Sequence, residues 1–326
     1  MNRFEYVRAE SVAEAVAALG ERGAVLKAGG VDLVDRLKEG LVAPRRVVSL
    51  EAADLRTLRD DARGGLHVGA LVTLAALEAS PIVRGRYAAL AQAAGHVATP
   101  QIRNQATAGG NLLQRPRCWY FRHADFHCRK KGGTTCYAQH GEHQLHAISG
   151  NGTCAIVHPS TLATALVALG AKVTLSGPRG PRTMALERFF STPEHSLGAE
   201  NVLAADEVLT ALHLPAPAIG TRSVHWKQGE KESFDWAIAE AAVVLELAGR
   251  TCKRASIVLG AMAPVPVRAR ASEAMLQGKA IDAALAAEAA RAAVAKATPL
   301  ARNGYKVPVF EAVVARAILA AAGGAA

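Results

Sequence analysis

Apolar positions recur with a regular period over residues 12–98, again over 154–214 and once more beyond 217; between 99 and 153 the period is lost. Ser11 and Glu14 form an S-x-x-E capping box ahead of Val12, Ala13, Val16, Ala17 and Leu19, which predicts a helix closed by Gly20 and Gly23. A strand at 24–27 runs into Ala28-Gly29-Gly30, a helix at 32–38 stops at Gly40, and strands follow at 46–50 and 66–71. Thr73 caps a helix through Ala79 that Pro81 closes, and the Ala-rich residues 86–98 also read as helix. Residues 99–111 are polar and glycine-containing, and 112–153 form a long irregular insert, a kind of segment that in compact domains is usually functional. Regular elements resume with a strand at 154–157, a helix at 160–169, a strand at 171–176, a Gly-Pro-Arg-Gly-Pro turn, a short helix at 184–190 and a strand at 208–214. Pro215 and Pro217 mark a domain boundary. Beyond it, 223–227, 236–247 and 254–262 read as strands of an antiparallel sheet, and 272–277, 282–296 and 309–321 as helices. Strands followed by helices predict an α+β second domain.

Composition narrows the class. The chain has 326 residues, 50% hydrophobic and 20% charged, enough to bury a sizeable core and to exclude wholesale disorder. The opening MNRFEYVRAE has no apolar core of a secretory signal, and no run reaches the ~18 apolar residues of a membrane span. The expectation is therefore a cytoplasmic chain without membrane insertion, the alternative being export in a folded complex behind a partner's twin-arginine signal. A formal charge of +10 invites a nucleic-acid reading, but only 7 Phe, 5 Tyr and 3 Trp are available for base stacking. The sequence has no G-x-S-x-G elbow, H-E-x-x-H, G-x-G-x-x-G or P-loop, so no catalytic residue is expected on this chain.

Two Gly-Gly loops carry the first chemical signal: Leu26-Lys27-Ala28-Gly29-Gly30-Val31-Asp32-Leu33, between strand and helix, and Thr107-Ala108-Gly109-Gly110-Asn111-Leu112. Paired glycines let backbone N–H groups approach a phosphate, and the helix starting near Asp32 adds the positive end of its dipole. The second signal is a cluster of Cys118, Cys128, Cys136 and Cys154, spaced C-x9-C-x7-C-x17-C. That spacing is neither a zinc-finger nor a ferredoxin pattern, yet four thiolates on one insert suit an S4 site, zinc or iron–sulfur. Arg115, Arg117, Arg122, Arg129, Lys130 and Lys131 read as a basic surround favouring an anionic cluster, and Cys252 as a bystander.

The glycine loops in this order, the second preceded by Arg103-Asn104-Gln105-Ala106, resemble the flavin subunit of the molybdenum hydroxylases, the medium-subunit family of xanthine dehydrogenase and carbon monoxide dehydrogenase. The opening residues, the segment His158-Pro159-Ser160-Thr161-Leu162-Ala163 and the run IVLGAMAPVPVRA at 257–269 extend the resemblance over nearly the whole chain. It implies non-covalent FAD in a vanillyl-alcohol-oxidase-like domain of two α/β subdomains at 1–218, followed by an α+β domain at 219–326. The FAD contacts it implies are Leu26, Lys27, Ala28, Gly29, Gly30, Val31, Asp32 and Leu33 in the first loop and Thr107, Gly109, Gly110, Asn111 and Leu112 in the second. Leu209 and Lys227, the latter in the run 227–237, match further positions near the cofactor. Thr161 stands where the family has a cofactor-contacting Asp and carries no charge.

The insert at 113–154 looks like that of aldehyde oxidoreductase flavin subunits of the periplasmic bacterial type and of the 4-hydroxybenzoyl-CoA reductase β subunit. It implies that Cys118, Cys128, Cys136 and Cys154 hold a 4Fe–4S cluster, against unpaired thiols or two disulfides. The implied role is electron transfer: a molybdenum-cofactor large subunit and a 2Fe–2S small subunit pass electrons through FAD to an external acceptor, aldehyde being the substrate of the complex. The rivals are a CoA-thioester reductase or N-heterocycle hydroxylase subunit and, from another class, a zinc-stabilised nucleic-acid binder.

Overall fold

The computed structural model describes residues 1–231 and 234–323. Glu232 and Ser233, within the run around Lys227, and the last three residues of the expected C-terminal domain lie outside the described residues. The chain forms three units, each with its own sheet.

The first is β1 (Glu5–Ala9), α1 (Val12–Leu19), β2 (Ala24–Lys27), α2 (Val31–Lys38) and β3 (Arg46–Leu50), a parallel sheet of order β1-β3-β2. The capping box starts α1: Ser11 Oγ accepts the Glu14 N–H at 3.2 Å, and the Glu14 carboxylate accepts the Glu10 N–H at 2.9 Å. Strand β1 is not legible as a period in the sequence, because its first four residues are exposed or half-buried and only Ala9 is buried.

The second unit carries β4 (Leu58–Asp60), β5 (Leu66–Gly69) and the short helices α3 (Leu74–Ala79), α4 (Pro81–Arg86), α5 (Ala88–Gly95), α6 (Pro100–Gln105) and α7 (Ala108–Leu112). The insert follows, with only α8 (Trp119–Arg122) and two single 3-10 turns. Then come α9 (Thr161–Ala168), β6 (Lys172–Gly177), β7 (Gly180–Ala185) and β8 (Val208–Leu214), in an antiparallel sheet of order β4-β5-β8-β6-β7. Two expectations are corrected here. Residues 154–157 form no strand, and the helix expected at 184–190 is reduced to a 3-10 turn at Leu186–Arg188, its first two residues ending a hairpin arm at 180–185. The left-handed turn at Gly180 returns the chain onto β6, and pairing with that strand overrides the short local helical pattern.

The third unit holds β9 (Thr221–Gln228), β10 (Ala239–Ala248), β11 (Thr251–Gly260) and β12 (Val267–Arg268) in an antiparallel sheet, with α10 (Arg270–Leu276), α11 (Ala283–Val294) and α12 (Lys306–Ala322) packed on it. The buried α9, apolar but for Thr161 and Thr164, inserts between this sheet and the second unit, so Ala242 and Val258 join the second unit's core. The α+β class read from the sequence is the observed one. Among the described residues no helix is long and apolar enough to cross a membrane.

Candidate cofactor-binding site

An open cleft of about 1180 Å³ lies where the first two units meet. Leu26, Lys27, Ala28, Gly29, Gly30, Val31, Asp32 and Leu33 form one wall; Thr107, Gly110 and Asn111 contribute the other, with Val97, Ile102 and Leu113 as apolar lining. The first wall is built from main chain. Gly30 is left-handed at φ +81° and serves as N-cap of α2 without any side-chain cap, so the free N–H groups of the first turn open into the cleft. Gly29 is needed for a different reason: a Cβ there would sit 1.9 Å from the Gln105 carbonyl oxygen, so it brings the two loops together. On the second wall Thr107 caps α7 by accepting the Gly110 N–H at 3.1 Å.

Asp32 lines the cleft with its carboxylate engaged by four arginines. Its carboxylate accepts from Arg36 Nε at 3.0 Å, from the Arg115 N–H at 3.2 Å and from Arg122 at 2.6 Å, and pairs with Arg117 at 3.1 Å. Burial alone would raise this carboxyl, but the hydrogen bond and charge of Arg122, with Arg36 and Arg117, hold it below the ordinary range. Asp32 thus ties the glycine loop to the start of the insert.

A second, narrower cleft of about 730 Å³ adjoins the first and shares Arg117 and Trp236 with it. The Arg117 guanidinium lies over the Trp236 ring, 5.1 Å from its centroid. Its lining joins the insert (Cys118, Trp119, His146) to the approach and start of α9 (His158, Pro159, Thr161) and to the third unit (Trp236, Ala237, Glu240). Thr161 donates to Glu240 at 3.0 Å, and Thr164 donates to the other carboxylate oxygen at 2.9 Å. Burial pushes His158 down to about 4, so it is neutral at pH 7.

The four cysteines of the insert line one void of about 310 Å³, walled by Tyr120, Phe121, Tyr137 and Ile156. All are free thiols, which removes the two-disulfide alternative. Backbone N–H groups of Tyr120 and Phe121 are directed at Cys118, those of Ala138, Gln139 and Ala155 at Cys136, and that of Ile156 at Cys154. Burial pushes the Cys118 thiol up to about 11, whereas a hydrogen bond from Cys154, with these amides, brings Cys136 down to about 6. His146 Nε2 lies 3.2 Å from Cys118 Sγ. Among the described residues no group of three or more His, Cys, Asp or Glu side chains is arranged to hold a single metal ion. Cys252 is buried in β11, in the third unit's own core.

The basic residues of the insert are not a loose surround. Arg117 and Arg122 pair with Asp32 and Asp35, Arg115 and Lys130 with the buried Glu200, and Arg129 donates to the carbonyls of Thr134 and Thr153. The basic surround read from the sequence is thus largely ion-paired, and these pairs anchor the insert. The far side of the insert is fixed by the third unit. Asn303 donates to the carbonyls of His146 and Ala147, and the fully buried Lys306 donates to those of His146 and Ala261.

Several expected contacts do not line either cleft. Gly109 packs on Ala70 and Leu209, Leu112 and Leu209 lie in the core, and Lys227 donates to the His96 carbonyl at 2.9 Å. Conversely, Glu240 was not singled out from sequence, Arg117 was read only as part of the basic surround, and Trp236 only as part of the run 227–237. The available signal for Glu240 was a lone carboxylate inside the apolar run 239–245.

The relatives of this chain agree with that architecture. Residues 2–217 match the FAD binding domain in molybdopterin dehydrogenase, and residues 224–321 match the CO dehydrogenase flavoprotein C-terminal domain. The aldehyde oxidoreductase FAD-binding subunit PaoB of Escherichia coli K12 is 34% identical over 85% of this chain and 86% of its own length. The carbon monoxide dehydrogenase medium chain of Hydrogenophaga pseudoflava is 31% identical over 98% of this chain and 97% of its own length. A solved carbon monoxide dehydrogenase from the same organism superposes with a TM-score of 0.77 at 31% identity over 99% of both chains, and quinoline 2-oxidoreductase from Pseudomonas putida 86 does so with 0.77 at 26%, over 99% of this chain and 98% of that one. The chain belongs to the FAD-binding medium subunits of the molybdenum hydroxylases, a family of oxidoreductase subunits.

Proposed function

We propose that this chain is the electron-transfer subunit of an aldehyde-oxidising molybdenum hydroxylase and that it holds a 4Fe–4S cluster beside its FAD. FAD supplies chemistry that protein side chains lack: it takes up electrons and passes them on. The pyrophosphate suits the uncapped first turn of α2 beside Gly29 and Gly30, and the ring suits the second cleft at Thr161. The donor set fits both parts, with free main-chain N–H groups for the anion and an apolar, partly aromatic slot for the ring. We assign no catalytic residue to this chain.

The observation that carries the cluster is the convergence of Cys118, Cys128, Cys136 and Cys154 on one void with amide N–H groups aimed at their sulfurs. Such N–H groups stabilise thiolate charge, the state in which cysteine binds iron. The choice of a 4Fe–4S cluster over zinc rests on the resemblance of the insert to those of other flavin subunits. Aldehyde as the substrate rests on the likeness to PaoB together with the cysteine insert. The partners are then a molybdenum-cofactor large subunit and a 2Fe–2S small subunit, with an external acceptor taking electrons from FAD. The compartment follows the assembly: cytoplasmic unless a twin-arginine-bearing partner carries the folded complex out.

Coexpression with tagged large and small subunits tests the assembly. A stable complex that bleaches its flavin on adding an aldehyde is expected. A complex reduced by an N-heterocycle or a CoA thioester but by no aldehyde would replace the substrate assignment.

A further inference from the structure

Behind the second cleft, a line of polar side chains crosses an otherwise apolar interface. Thr161, in the cleft wall, donates to Glu240 Oε2 at 3.0 Å. Glu240 is 2% exposed, and His225 Nε2 lies 3.6 Å from the same oxygen with no other partner for that buried nitrogen. His225 Nδ1 is 3.0 Å from His96 Nδ1, and His96 is exposed in a surface depression between Glu78, Arg84 and Gln92.

We propose that His96, His225, Glu240 and Thr161 form a proton path between solvent and the second cleft. It rests on the reading that the flavin ring occupies that cleft. Two-electron reduction of a flavin consumes protons, and the cleft wall offers no exposed acid.

The local structure is built around this line. Gly260 clears the space for Glu240: a Cβ there would lie 2.0 Å from Glu240 Oε1 and 2.3 Å from Thr164 Oγ1. The Gln92 side chain accepts the His225 N–H at 2.8 Å, and Lys227 donates to the His96 carbonyl at 2.9 Å, fixing β9 against the end of α5. The bonding is consistent in one tautomer, with His96 donating to His225 Nδ1 and His225 presenting Nε2–H to Glu240.

Transfer carries one proton through and leaves both imidazoles in the other tautomer, which reorientation of the rings resets. A proton taken up on His96 Nε2 releases the Nδ1 proton to His225 Nδ1. His225 gives its Nε2 proton to Glu240 Oε2; the Thr161 hydroxyl turns from Glu240 to present its own proton to the cleft, and Glu240 then donates to the Thr161 oxygen as that proton leaves. One proton enters and one leaves; the electrons come from the reduced donor upstream. Burial, then His225 and Lys227, push His96 down to about 4. Glu240 is held below its ordinary range, the effect of burial being outweighed by His225, Thr164 and Thr161. Other charged or titratable groups acting on the line are His158, Lys227 and Arg103.

The test uses the full chain loaded with FAD in weakly buffered solution. A flash-generated viologen radical supplies the electrons, flavin bleaching reports their arrival and an indicator dye reports proton uptake. Wild-type uptake should keep pace with bleaching. His96→Ala should slow uptake by about tenfold or more at unchanged flavin content and bleaching rate, and Glu240→Gln should slow uptake per bound flavin by a similar factor. Added imidazole should restore His96→Ala and leave Glu240→Gln slow. His96→Ala, a surface change, carries the test if Glu240→Gln does not fold. Uptake at the wild-type rate in His96→Ala, or slow uptake that imidazole does not restore, would overturn the path. A wild-type chain that holds no flavin would overturn the cofactor reading and the path with it.

Discussion

The glycine-lined cleft and the four-cysteine void are neighbours made of different materials. The cleft is main chain: an uncapped helix start, a left-handed Gly30 and a Gly29 pressed against the Gln105 carbonyl. Its geometry is local to two short loops, each carried by regular structure. The void is side chain: four thiols on a segment with almost no regular structure, held from outside. One side of that segment is bolted to α2 through Asp32, the other to the third unit through Asn303 and Lys306. A main-chain site fails when a Cβ is added; a side-chain site on an irregular segment fails when a distant anchor is lost.

The largest effect should come from Gly29→Val. Its Cβ would meet the Gln105 carbonyl, costing about 3 kcal/mol or more. Flavin absorbance of the purified chain should vanish and its Tm should fall. This variant reports loop packing more than phosphate contact.

Asp32→Asn comes next and probes the join between the two regions. It removes the one carboxylate charge shared by Arg36, Arg117 and Arg122, the last two of which keep Asp35, and should cost about 2–4 kcal/mol. Flavin and iron contents should fall together, whereas Cys128→Ser should lower iron with flavin retained. Full iron in Asp32→Asn would mean that the insert stands without the glycine loop.

Acid should separate the two clefts from the rest. His158 is neutral when folded, with its pKa at about 4, and unfolded histidine titrates near 6.5. The unfolded state binds the extra proton between those values, so stability is complete above about pH 6.5 and is lost as pH falls toward 4. The contribution reaches at most about 3 kcal/mol, and the gap between urea midpoints at pH 7 and pH 5 should narrow in His158→Gln, with His96 and His146 carrying the remainder.

The smallest effect is expected from Gly110→Ala. Its Cβ meets only the Thr107 hydroxyl at 2.9 Å, disturbing a cap worth about 1 kcal/mol. FAD should bind about fivefold more weakly in a fluorescence titration, with the fold intact. Complete loss of FAD would mean that Gly110 touches the cofactor directly.

What was legible in the sequence follows the same division. The capping box at Ser11, the strand at 24–27 and the glycine turn are written in adjacent residues, and the structure has them where the pattern puts them. Long-range pairing is not written locally. The arm at 180–185 is a strand because β6 lies beside it, and β1 is one because β3 does. Asp32 reads as part of a phosphate loop, yet its partners Arg115, Arg117 and Arg122 lie far along the chain. The cysteine spacing identifies no metal by itself; only the folded insert gathers four sulfurs around one void.

The central claim is that one chain holds FAD and a four-cysteine cluster side by side. Anaerobic purification with assay of iron, acid-labile sulfide, zinc and flavin tests it most directly. The account predicts about four iron and four sulfide per FAD, with iron lost in each of Cys118→Ser, Cys128→Ser, Cys136→Ser and Cys154→Ser and kept in Cys252→Ser. A flavin-bearing chain that holds zinc or no metal, or one whose iron survives those four substitutions, would contradict it.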